Sequence, residues 1–192
     1  ASGSDRFHQR GRAANEALQL IRALWEQDEV TFKGEFFAAH EARHFPKHPG
    51  QTLPIWVGGN AAASIQRAAA YGDGYLPAAK HPDELRQDRE QLDRELERVR
   101  RDPATFPMAL SLTVDLREPG EGLAEDLEER GMHGHAGSRV VTGTAPEVAE
   151  KLNALAAAGV EHFALSFRAH SLSHLKERLE KFAREVRPAL ET

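Results

Sequence analysis

Residues 53–77 read "LPIWVGGNAAASIQRAAAYGDGYLP". Ile55, Trp56 and Val57 form a short apolar run closed by Gly58 and Gly59, the pattern of a buried strand running into a turn. Asn60 stands at an N-cap position and predicts a helix over 61–71. "GDGYLP" (72–77) then reads as a turn and a second short strand. Two strands joined by a helix are parallel, with a right-handed crossover.

The same alternation extends outward. Upstream, residues 12–26 place Ala17, Leu20, Ile21, Leu24 and Trp25 on one helical face, and 32–53 read as a connecting loop. Downstream, Pro82 opens a long charged helix striped by Leu85, Leu92, Leu96 and Val99. Residues 106–116, "FPMALSLTVDL", alternate: Met108, Leu110, Leu112, Val114 and Leu116 share one face, Ala109, Ser111, Thr113 and Asp115 the other. Thr144 and Glu147 form a capping box for the next helix. "HFALSF" (162–167) is a strand, and the last helix carries Leu172, Leu175, Leu179, Phe182 and Val186.

The order is a helix followed by four strand–helix units, within one domain spanning 1–192. Such alternation gives an α/β fold with a parallel sheet. Two architectures fit: a small open sheet covered on both faces, or half of a (β/α)8 barrel, a fold of about 250 residues when complete. The strand at 106–116 favours the second. Its aliphatic face suits packing under helices, and its small polar face suits a barrel interior with room for a ligand.

Composition narrows the function. A formal net charge of -5 is wrong for wrapping nucleic acid or an anionic membrane. With no cysteine, zinc–thiolate sites, disulfides and cysteine nucleophiles are excluded. No apolar run reaches membrane-spanning length, and "ASGSDRFHQRGR" at the N-terminus lacks the apolar core of a secretory signal, so a cytoplasmic protein is expected.

The stretches 10–37 ("RGRAANEALQLIRALWEQDEVTFKGEFF") and 53–77, with "RRDPATF" (100–106), "VTGTAPEVAEKLNALAAAGVEHFALSF" (141–167) and "LEKFAREVRPAL" (179–190), resemble the bacterial luciferase-like monooxygenase family. That family includes flavin-dependent monooxygenases and deazaflavin-dependent oxidoreductases. The resemblance covers roughly residues 6–190 and implies the C-terminal half of a TIM barrel: the fourth helix, then strands five to eight with their helices. It implies FMN or an 8-hydroxy-5-deazaflavin coenzyme and a small-molecule substrate. No catalytic residue carries over, because the family's ring-binding and proton-transferring residues lie largely in the first half of the barrel.

The resemblance puts the cofactor phosphate near the end of the fifth strand, at "VGGNAAAS". The residues suit that independently. Gly58 and Gly59 let a ligand approach the backbone, and the free N–H groups at the start of the helix favour an anion. Gly58, Gly59, Asn60, Ala61 and Ser64 are therefore the candidate cofactor-binding residues; the plainer alternative is a tight strand-to-helix turn. Ser166 and Arg168, at the end of a strand, either line the same end of the barrel or face solvent.

Residues 40–44, "HEARH", match H-E-x-x-H, the helix-borne zinc motif of metallopeptidases. Gly34 and Pro46 bracket the segment, which leaves little room for a helix, and the extended motif with a third histidine fails. Surface histidines on a connecting loop are the expectation, with a zinc peptidase, or casual metal binding by His40, His44 and His48, as alternatives. His133 and His135, in "GMHGHAGS" (131–138), read as a solvent loop. The run 84–102 is a solvated helix face with Glu90–Arg94 and Glu97–Arg101 pairs.

The expected function is thus the cofactor-phosphate side of a luciferase-like oxidoreductase, with no nucleic-acid or membrane partner, and inactive by itself. A half-barrel leaves two open sheet edges, which invite a homodimer or the N-terminal half-barrel. The alternative is a non-catalytic half-barrel that self-associates through those edges.

Overall fold

The computed structural model describes residues 7–50, 53–78, 80–118 and 140–190. A helix, α1 (Arg10–Glu26), leads into an antiparallel hairpin of β1 (Val30–Lys33) and β2 (Ala38–Ala42). The hairpin replaces the loop expected over 32–53. Its turn is fixed from outside: the Glu16 carboxylate on α1 accepts the backbone N–H groups of Glu35, Phe36 and Phe37 at 2.9, 2.9 and 2.7 Å. A bulge lies between Val30 and Phe32, opposite Glu41, which sits at φ 46 with its N–H on the Thr31 hydroxyl.

The parallel part begins with β3 (Trp56–Gly58), α2 (Ala62–Tyr71), β4 (Gly74–Leu76) and α3 (Pro82–Arg98). β3 and β4 pair in parallel, Trp56 opposite Gly74. β5 (Ala109–Leu116), β6 (Val140–Gly143), α4 (Ala145–Ala156), β7 (His162–Phe167) and α5 (Leu172–Lys181) follow. There are thus five parallel strands among the described residues, where four were expected. The extra one, β6, is four residues long, too short for its alternation to stand out. β7 runs along one edge of β5 from Ala109 to Val114. β6 takes the C-terminal part of the other edge, from Thr113 to Leu116, and β4 touches that edge at its start through a Tyr75–Met108 bridge. The result is an incomplete parallel sheet rather than a closed barrel.

The core lies between this sheet and the helices. Met108, Leu110, Leu112, Val114 and Leu116 are buried, as the alternation predicts, and they pack with Leu85, Leu92 and Leu96 of α3 and Val148 and Leu152 of α4. Burying each such side chain contributes about 1.5–3 kcal/mol. The capping box at α4 is formed: Thr144 N–H donates to Glu147 at 2.7 Å. α1 buries no residue. Only Leu18 and Trp25 reach the core, and polar links hold the helix: Arg22 to Asp73 at 2.7 Å and Arg67 to Asn15 at 2.6 Å. The Glu97–Arg101 pair expected on α3 does not form. Arg100 reverses the chain at φ 62, and Arg101 turns back to the Ala69 and Gly72 carbonyls at the end of α2.

The sheet is strongly curved. Val57 faces the helices while Trp56 faces away from them, as do His162, Ala164 and Ser166 on β7. The Trp56 and His162 rings meet edge to face with centroids 5.6 Å apart, although β4 and β5 lie between their strands. Among the described residues no helix is long and apolar enough to cross a membrane.

Candidate cofactor-phosphate site

β3 delivers the chain to Gly58 and Gly59 at the C-terminal end of the parallel sheet. Gly59 adopts φ 128, a region L-residues rarely enter, and its N–H reaches the Leu76 carbonyl at 3.3 Å. A Cβ on Gly59 would stand 2.5 Å from the Ser64 hydroxyl, so this backbone lies directly against that side chain. Ser64 is 8% exposed, and its hydroxyl has no hydrogen-bond partner among the described residues.

Asn60 does not cap the helix, contrary to the sequence expectation. Its Oδ1 accepts the Ala78 N–H at 2.8 Å, tying the turn to the segment after β4. The N-cap is Ala61, which has no capping side chain. α2 therefore starts with unsatisfied N–H groups and the positive end of its dipole open to an incoming acceptor. Beside them runs a groove of about 560 Å³ lined by Arg10, Ala14, Ala61, Ala63, Ser64 and Arg67. The two arginines add positive charge. Arg67 is held in place by Asn15 and by the Gly11 carbonyl at 3.2 Å.

Beneath the turn lies a group that sequence reading missed. Tyr75 is fully buried, and its hydroxyl is 2.8 Å from the Gly59 carbonyl and 3.3 Å from Asp88 Oδ2. Lys80 Nζ donates to both Asp88 oxygens, at 2.8 and 2.6 Å. Burial first, then the Asp88 charge and its hydrogen bond, push the Tyr75 phenol well above its ordinary range, so it stays protonated. A signal existed: Asp88 falls at the spacing of the Leu85, Leu92 and Leu96 stripe, an inward position that a charged residue occupies only with a partner.

At the same end of the sheet, the Ser166 hydroxyl on β7 meets that of Thr113 on β5 at 3.1 Å, and half-buried Arg168 follows. The HEARH segment is elsewhere and is not helical. His40 and Glu41 lie on β2 with His40 exposed, and His44 lies past the strand's end, so the one-turn spacing a zinc peptidase requires is absent. Among the described residues no cluster of His, Asp and Glu is arranged to hold a metal. His133 and His135 lie outside the described residues.

Residues 1–130 match the luciferase-like monooxygenase family. The chain belongs to that family. An F420-dependent glucose-6-phosphate dehydrogenase of Gordonia bronchialis is 27% identical over 96% of this luciferase-like chain and 62% of its own length. An uncharacterized protein of Mycobacterium tuberculosis is 37% identical over 50% of the chain and 30% of its own length. The chain thus spans less than two thirds of either relative. Two solved structures share the fold: an F420-dependent secondary alcohol dehydrogenase bound to an F420–acetone adduct (TM-score 0.79, 19% identity, 97% of this chain and 63% of that one), and the long-chain alkane monooxygenase LadA (TM-score 0.71, 15% identity, 94% and 55%).

Proposed function

We propose that this luciferase-like chain supplies the cofactor-phosphate side of an oxidoreductase barrel acting on a small-molecule substrate, with Gly58, Gly59, Asn60, Ala61 and Ser64 cradling the phosphate of FMN or of an 8-hydroxy-5-deazaflavin coenzyme. The observation that carries this is Gly59, held at φ 128 against the Ser64 hydroxyl where α2 begins without a capping side chain. A Cβ at Gly59 would collide with the Ser64 hydroxyl, and no capping side chain takes up the first amides of α2. The residues therefore fit a phosphate. The amides and the Ser64 hydroxyl would bind it, while Arg10 and Arg67 would balance its charge. The bound ring system would supply the redox chemistry.

Relatives named as F420-dependent support the deazaflavin, and a named monooxygenase with the same fold keeps the flavin open. The test is titration of the chain with FMN and with riboflavin, and with the deazaflavin pair that differs by the same phosphate. Binding at least tenfold tighter with the phosphate is expected; equal affinities refute the cradle.

The remaining strands of the barrel are proposed to come from further polypeptide or from a second copy of the chain. Support comes from the greater length of the relatives, from the curvature that brings Trp56 to His162, and from β3 and β7, which each pair along one edge among the described residues. The open edges also favour a second reading, a non-catalytic half-barrel that self-associates in the cytoplasm. Sedimentation separates these: a dimer that binds no phosphorylated cofactor supports the second reading, and a monodisperse monomer refutes self-association.

A further inference from the structure

We propose that Tyr75 is a positioning residue for the phosphate cradle, its buried hydroxyl setting the Gly59–Asn60 peptide so that the Asn60 N–H faces the ligand. This rests on the cradle reading. The carbonyl and N–H of one trans peptide point in opposite directions. Gly59 O is drawn inward to the Tyr75 hydroxyl at 2.8 Å, within the core, so the N–H of the same peptide unit is directed outward, away from it. A glycine offers little resistance to rotation of this peptide. Flipped, the unit would present its carbonyl dipole to an anion and remove a donor from it.

The phenol has one proton and two acceptors within reach. Gly59 O is the nearer, and Asp88 Oδ2 lies at 3.3 Å. Lys80 decides the competition. By donating to both Asp88 oxygens it meets the demand of that carboxylate, leaving the Tyr75 proton for Gly59. Tyr75, Asp88 and Lys80 thus act together on a backbone amide none of them would touch once the ligand is bound.

The test compares FMN with riboflavin, or the equivalent deazaflavin pair, on the wild-type chain, Tyr75→Phe and Lys80→Gln. Tyr75→Phe is expected to lower affinity for the phosphorylated ligand about tenfold, the effect of one buried hydrogen bond, and leave the dephosphorylated one unchanged. A smaller loss of the same kind is expected for Lys80→Gln, which also decides the matter if Tyr75→Phe does not fold. A wild-type phosphate preference that survives both substitutions overturns the positioning role and leaves the cradle standing. Equal losses for both ligands also overturn it, marking the group as merely structural. No phosphate preference in the wild type overturns the cradle, and this proposal with it.

Discussion

Gly59→Ala separates backbone conformation from every other property of the turn. The added methyl carries no charge and removes no hydrogen bond. It meets two obstacles. At φ 128 the backbone lies in a region that costs a non-glycine residue about 1–3 kcal/mol. The new Cβ would also stand 2.5 Å from the Ser64 hydroxyl, which must rotate away. A chain of this size loses about 2–4 °C in Tm per kcal/mol, so thermal unfolding followed by circular dichroism should show a drop on the order of 5–10 °C. Gly58→Ala is the control. Its Cβ would rest 3.5 Å from the Leu76 carbonyl, an ordinary contact, and its Tm should move by no more than a degree or two, as for an unstrained site with about 0.5 kcal/mol at stake. If Gly59→Ala melts within a degree of the wild type, the positive φ is not a constraint, and the physical basis of the cradle is lost.

Glu16 links the hairpin to pH. Desolvation raises its pKa, but the amides of Phe37, Phe36 and Glu35 and the Arg12 charge outweigh this and hold it below the usual carboxylate value. Its contribution is therefore complete above the ordinary carboxylate range and is lost as pH falls through the lowered value; hydrogen exchange of the 35–37 amides should accelerate there, and Glu16→Gln should abolish that pH dependence. Lys80→Ala leaves Asp88 uncompensated in a nearly dry site and should cost about 3 kcal/mol, measured by urea unfolding. Leu92→Ala opens a cavity where the side chain is fully buried and should cost about 2–5 kcal/mol in the same assay.

What was legible in the sequence was what local pattern alone dictates. The alternation of 106–116, the Leu85–Leu92–Leu96 stripe and the Thr144–Glu147 box each encode their own geometry, and each forms as expected. The hairpin was not legible because a carboxylate about twenty residues away holds its turn. The Asn60 cap failed for a related reason. The side chain had a tertiary partner, Ala78 N–H, and that contact displaced the local one. Of the cradle, the glycines and the start of α2 could be read from the chain, but their support could not. Tyr75, Asp88 and Lys80 converge only once β4 has paired and α3 has packed over it.

The pairing of β5 has a consequence in time. Its longest partner, β7, follows about fifty residues later in the chain. At synthesis rates of about 5–20 residues per second, β5 emerges roughly 3–10 s before that neighbour exists. The helix, the hairpin and the β3–α2–β4–α3 unit, made of nearer contacts, can form in that interval. β5 cannot finish. The edge that β7 will take waits on the ribosome for its partner, the state in which a growing chain is most exposed to the wrong one.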